Sequence, residues 1–136
     1  MTARFLADTS ALARMSLPAV ARRLGPMIAD GLVATCAIVD LEVLFSARGP
    51  ADYEAIWEER RALEDVPITP GVMWRALGVQ RALSAGGRHR LPIPDLMVAA
   101  AAESAGLAVL HYDADYERIA AVTGQAQQWV APRGTV

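Results

Sequence analysis

Apolar positions along this chain follow two rhythms. Runs of three to five residues, Arg4 to Ala7, Leu32 to Thr35, Val66 to Thr69, Leu107 to His111 and Gln128 to Val130, read as strands. Longer stretches with helical spacing separate them. Ser10 to Met15 and Pro18 to Ala29 follow the first strand, with Pro18 suited to a first helical turn and Gly31 to a stop. Ala37 to Ala47 follows the second strand and ends at Gly49. Asp52 to Leu63 reads as an amphipathic hairpin or lid helix. Tyr53, Ile56, Trp57 and Leu63 lie on one side, and Glu58, Glu59, Arg60 and Arg61 largely on the other. Gly71 to Ala85 closes at Gly86-Gly87, Pro94 opens an Ala-rich helix to Ser104, and a last helix contains Tyr116, Glu117 and Arg118. This alternation predicts an α/β fold with a mostly parallel central sheet flanked by helices.

Four acids interrupt the pattern where apolar segments end or turn: Asp8, Glu42, Asp95 and Asp113. A carboxylate beside a segment bound for the core is costly to desolvate unless a cation or a donor compensates it. Asp8 and Asp113 follow strands, and in a parallel sheet sites gather at the carboxyl ends of strands. Each acid also has a plainer role open to it. Asp8 can cap the helix that begins near Ser10, although Asp8-Thr9-Ser10 supplies three consecutive oxygen-bearing side chains. Asp95 lies in a first helical turn, where the macrodipole favours an anion. Of Asp113 and Asp115, one can bind and the other cap, with Asp113 the first choice. Glu42 sits in a helix apolar almost all round and is expected to be buried, whereas Asp40, two positions earlier, points elsewhere and reads as structural. Together the acids suit a hard divalent cation such as Mg²⁺ or Mn²⁺ held against a phosphate.

Composition narrows the chemistry. At 136 residues with 54% hydrophobic and 21% charged content, the chain is expected to form one ordered domain over residues 1–136, with only 131–136 loose. The first residues lack the apolar core of a signal peptide, and no apolar run reaches the roughly 18 residues of a membrane span, so a cytoplasmic protein is expected. Cys36 is a single thiol, read as buried and inert; with His89 and His111 it is too scattered for structural zinc. Net charge is −2 and every basic residue is Arg. The absence of Lys removes phosphate-loop lysine and Schiff-base chemistry. Arginine still grips phosphate through its planar fork, and Arg88 and Arg90, just ahead of Asp95, are candidate phosphate contacts forming the basic rim that a nuclease requires. His111 is read as a packed residue near the cluster, and Trp57, Trp74 and Trp129 as core or interface residues.

Taken in order, Phe5 to Leu12, Asp40-Leu41-Glu42, Ile93 to Ala102 and Leu110 to Ile119 resemble PIN-domain ribonucleases, specifically VapC-type toxins of toxin–antitoxin pairs. The resemblance spans nearly the whole chain. It implies a PIN-like fold and a Mg²⁺- or Mn²⁺-dependent endoribonuclease, with Asp8, Glu42, Asp95 and Asp113 as both catalytic and metal-binding acids. Asp115, Thr9 and Ser10 support them. It also implies a homodimer and a VapB-type antitoxin whose tail blocks the site; the helices around Trp57 and Trp74 are its candidate groove. Two residues depart from the pattern: His111 replaces a frequent hydroxyl residue and Tyr116 a frequent Phe. Two other readings stay open, a Mg²⁺-dependent phosphatase and a PIN fold that binds a partner without catalysis.

Overall fold

The computed structural model describes residues 2–136; Met1 lies outside them. Five strands form one sheet: β1 (Phe5–Ala7), β2 (Val33–Cys36), β3 (Glu64–Val66), β4 (Ala108–His111) and β5 (Gln127–Trp129). Their spatial order is β3-β2-β1-β4-β5, and all four pairings are parallel. Seven helices connect them: α1 (Thr9–Leu12), α2 (Pro18–Ala29), α3 (Ala37–Phe45), α4 (Pro50–Arg61), α5 (Pro70–Ser84), α6 (Ile93–Ser104) and α7 (Asp115–Thr123).

The three central strands, β1, β2 and β4, are apolar at consecutive positions because both faces of the sheet are covered there. Leu6, Ala34, Cys36 and Val109 point to the face packed by α3, α5, α6 and α7. Ala7, Val33 and Leu110 point to the other face, against Ala11 of α1 and Val20 and Leu24 of α2. The two-residue period of a strand thus sorts neighbours into two cores. Small side chains at Ala99 to Ala102 let α6 lie close to the sheet.

The chain steps outward from β1 to β2 and β3, then returns to place β4 on the other side of β1. Parallel crossovers keep one hand, so the reversed direction carries α5, α6 and α7 to the face opposite α1 and α2. The crevice between the carboxyl ends of β1 and β4 is therefore a topological switch point, the usual seat of a site in such sheets. Asp8 follows β1 and Asp113 follows β4.

Three local expectations are corrected. The third strand lies earlier than Val66 to Thr69, because Pro67 has no N–H for the ladder and Thr69 instead accepts a bond from Val72 N at 3.2 Å to cap α5. The supposed apolar face of α4 is open: Tyr53 and Trp57 are exposed and stack with ring centroids 6.5 Å apart, while Arg60 is buried. Asp40 explains the inversion. Buried in α3, it accepts from Arg60 Nε at 2.9 Å, Thr35 Oγ1 at 2.7 Å and Arg61 Nη2, pinning α4 to β2 and α3. Finally, residues 131–136 are tied down. Ala131 is buried, and the backbone N–H groups of Gly134 and Val136 donate to the Tyr112 hydroxyl at 2.7 and 3.2 Å.

Candidate active site

Two turns build the floor of the crevice. In the first, Asp8 N donates to Leu110 O at 2.9 Å, so the β1–β4 ladder continues one residue past β1 and holds the Asp8 side chain at the sheet edge. Asp8 Oδ2 accepts from Ser10 N at 3.1 Å and from Ser10 Oγ at 2.6 Å, which makes Asp8 the N-cap of α1. In the second turn, Tyr112 N donates to Ser10 Oγ at 2.9 Å and locks the two loops together. Asp113 N donates to His111 Nδ1 at 3.1 Å, and Asp113 Oδ1 accepts from Asp115 N at 2.9 Å as α7 begins.

His111 has no open face. It is fully buried, and with Nδ1 accepting, its Nε2–H donates to Gln127 Oε1 at 2.6 Å. Burial is the main influence on its pKa and lowers it, so the ring is neutral and positions the Asp113 turn. Cys36 is likewise buried with its thiol pKa raised, chiefly by desolvation, as an inert core thiol requires.

Asp95 enters from the first turn of α6. Oxygens of Asp95, Asp113 and Asp115 lie within 4.8 Å of one another, near the spacing of ligands around one hard cation. Asp95 Oδ2 is buried without a hydrogen-bond partner, and Oδ1 is 3.4 Å from the Tyr116 hydroxyl. Desolvation, followed by the charges of Asp8, Asp113, Asp115 and Glu42, pushes its pKa up to about 7. Among the described residues no Arg or His forms a salt bridge with Asp8, Asp95 or Asp113; Asp115 alone of the cluster has one, to Arg118 at 2.6 Å. An orphaned buried carboxylate oxygen amid like charge is a donor set that fits a hard divalent cation.

The expected acids therefore occupy different stations. Asp8 is buried and already bonded at both oxygens, because the Tyr116 hydroxyl donates to Oδ1 at 2.7 Å. Glu42 is exposed, not buried: Leu41 and Phe45 leave one side of α3 open, so Glu42 stands on the rim and accepts from Thr9 Oγ1 at 2.9 Å. Asp115, expected only in support, joins the close trio. Arg88 and Arg90 are exposed in the loop ahead of α6. Tyr116 is the residue that sequence reasoning undervalued. Its hydroxyl, on a side chain only 1% exposed, bridges two of the acids, and a phenol at a core position of a helix beside them was the available signal.

Comparison with known proteins identifies the family. Residues 5–122 match the PIN domain family. Ribonuclease VapC51 of Mycobacterium tuberculosis is 46% identical over 136 residues, covering 100% of this chain and 99% of that protein. Ribonuclease VapC21 of the same organism is 47% identical over 137 residues, covering 99% of each. In structure the chain resembles DNA-bound VapBC from Salmonella typhimurium with a TM-score of 0.72 and 17% identity, over 95% of this chain and 99% of that one. No helix among the described residues is long and apolar enough to cross a membrane. With its acids at the switch point of a five-stranded parallel sheet and its relatives matched end to end, the chain belongs to the PIN-domain family, among the VapC proteins.

Proposed function

We propose that this chain is the endoribonuclease toxin of a toxin–antitoxin pair, hydrolysing RNA phosphodiesters with Mg²⁺, or Mn²⁺, as cofactor in the cytoplasm. The observation that carries the reading is Asp95 Oδ2, buried and unpartnered amid the charges of Asp8, Asp113, Asp115 and Glu42, of which only Asp115 meets an arginine. Full-length similarity to ribonucleases named VapC supports RNA as the substrate.

Asp95, Asp113 and Asp115 would hold the ion, with Asp8 and Glu42 completing the acidic surround. When bound, a divalent ion acidifies a water and neutralises charge on the phosphoryl oxygens. Asp8 is kept in place by Ser10 and Tyr116 and fixes the distance between the β1 and α6 acids. Glu42 accepts from Thr9 at Oε1, which leaves Oε2 to take a proton from an attacking water at the open edge. Arg88 and Arg90 contact RNA phosphates near the entrance.

The partners are an RNA, a VapB-type antitoxin and a second copy of the chain. Neighbours in fold are VapBC complexes, which supports the antitoxin. Two apolar faces are available. One carries Leu41, Phe45, Tyr53 and Trp57 on α3 and α4, beside Glu42, and suits an antitoxin tail that closes the site. The other carries Met73, Leu77 and Ile93 around a groove between α5 and α6, with Trp74 exposed on the same helix α5, and suits the homodimer.

The test is cleavage of total cellular RNA by purified, antitoxin-free protein in Mg²⁺, Mn²⁺ or chelator, with Asp8→Ala prepared identically. Discrete metal-dependent cuts that vanish in Asp8→Ala are expected. Cutting shared by both proteins would mark a contaminant and remove the support for this reading.

A further inference from the structure

Beside the acidic crevice lies a second cavity of about 520 Å³, framed by the end of α5, the outer side of α7 and the C-terminal segment. Arg88, Arg118 and Arg133 line it, each from a different one of these regions, and Leu83, Ala121 and Val122 form an apolar wall. We infer that this cavity is a substrate subsite, seating the RNA nucleotide that flanks the scissile phosphate, with the arginines on its backbone phosphates and the apolar wall under its sugar and base. The inference rests on the ribonuclease reading above and adds a place and a set of residues to it.

Three observations carry it. The cavity adjoins the acids: Ala114, between Asp113 and Asp115, lines it, and so does Arg118, whose Nη1 bonds Asp115 Oδ1 at 2.6 Å. An RNA strand leaving the acidic trio on the α7 side would enter the cavity past Arg118. Next, two of the arginines keep capacity for a ligand, whereas Arg118 is already held by Asp115. Among the described residues Arg88 forms no ion pair, and Arg133 touches Glu117 only at 3.5 Å with its side chain 66% exposed. Glu117 also lines the cavity and Asp115 holds Arg118, so Arg88 and the exposed Arg133 are the guanidinium groups with room for a phosphate. Last, the chemistry is mixed in the way a nucleotide is. Planar guanidinium groups grip phosphate, and an apolar wall takes a ring. The Arg133 guanidinium lies 5.5 Å from the centre of the Trp129 ring, within cation–π range. A volume of about 520 Å³ lies within the usual range for a small-ligand pocket.

The experiment measures binding of a fluorescent 12-nucleotide single-stranded RNA to the full chain in chelator, across a salt series. Arg88→Gln/Arg133→Gln is compared with wild type and with Arg22→Gln, which removes a charge from exposed α2 on the other side of the sheet. Arg118 is left intact because it supports Asp115. Each lost phosphate contact on single strands should lower the log–log salt slope by about 0.7, so the double variant should lose about 1.4 and bind at least tenfold more weakly at low salt. KM for RNA cleavage should rise with kcat largely retained, and the metal-induced rise in Tm should be unchanged. Equal affinity and slope in wild type and double variant, with wild type still cutting RNA, would overturn the subsite and leave the nuclease standing. The subsite is also overturned if Arg22→Gln weakens binding as much, or if the double variant loses its metal response. If wild type neither binds nor cuts RNA, both readings fall. Tight binding of a hexaglutamate peptide that depends on Arg88 and Arg133, with RNA unaffected, would assign the cavity to an acidic protein segment instead.

Discussion

The Tyr116 hydroxyl donates to Asp8 Oδ1 at 2.7 Å and stands 3.4 Å from Asp95 Oδ1, so one phenol spans the acids of β1 and α6. Its pKa is raised well above the ordinary value, chiefly by burial and then by the charges of Asp8 and Asp95, so it remains a donor throughout the working pH range. Tyr116→Phe keeps the ring and strands a buried carboxylate oxygen. The expected cost is about 1–3 kcal/mol of stability in chelator, with reduced RNA cleavage at saturating metal. Urea denaturation and single-turnover cleavage check this. Unchanged stability would show that Asp8 finds another donor.

Asp95 makes the empty site sensitive to pH. Its folded pKa of about 7 lies above the ordinary 3.8, so between about pH 4 and 7 the folded state binds more protons than the unfolded state. Stability then falls as pH rises through that window. In chelator, Tm should decline from pH 5 to pH 8, and Asp95→Asn should flatten this decline and be the more stable protein at pH 8. Divalent metal competes with the same proton, so the metal-induced rise in Tm should grow with pH up to about 7 and be lost in Asp95→Asn. An unchanged metal response in that variant would remove Asp95 from the ligand set.

The buried pair of Asp40 and Arg60 is a separate matter of architecture. Asp40 is 4% exposed and Arg60 7%, and Thr35 bonds both. Arg60→Ala leaves the buried carboxylate with only Arg61 and Thr35, so a loss of about 3–5 kcal/mol is expected. Chemical denaturation measures it. A loss below about 1 kcal/mol would mean that Arg61 swings in to compensate.

Phe45 is 92% exposed and Trp57 41%, so neither supports the core. Phe45→Ala and Trp57→Ala should each change stability by no more than about 0.5 kcal/mol. Both should weaken antitoxin binding if the face beside Glu42 receives its tail. On the other face, Leu77→Arg should shift a sedimentation profile toward monomer. A full-strength antitoxin complex in both α3–α4 variants would move that partner elsewhere.

The legible part of this site was the set of chain positions where a carboxylate had no apolar excuse: the strand ends at Asp8 and Asp113, and the first turn carrying Asp95. Strand-helix alternation likewise made the parallel sheet readable. Glu42 misled because a helix apolar all round implies burial, whereas α3 keeps Leu41 and Phe45 in solvent. Arg60 misled for the complementary reason: amphipathic spacing cannot register a buried Asp40 that outbids the apolar face of α4 for contact with the core. Tyr116 differs from Phe by one oxygen, invisible to hydrophobic periodicity and decisive only once Asp8 and Asp95 converge on it.

The strand order has a consequence in time. Leu6 pairs with Val109, about a hundred residues downstream, and this adjacency is what brings Asp8 beside Asp113. Contacts so distant along the chain form late, since loop closure must precede them. A nascent chain can complete β1, β2 and β3 while still lacking the two acids of the β4–α7 turn. A copy broken off before β4 therefore lacks Asp113 and Asp115, two of the three carboxylates of the close trio, and should cut no RNA.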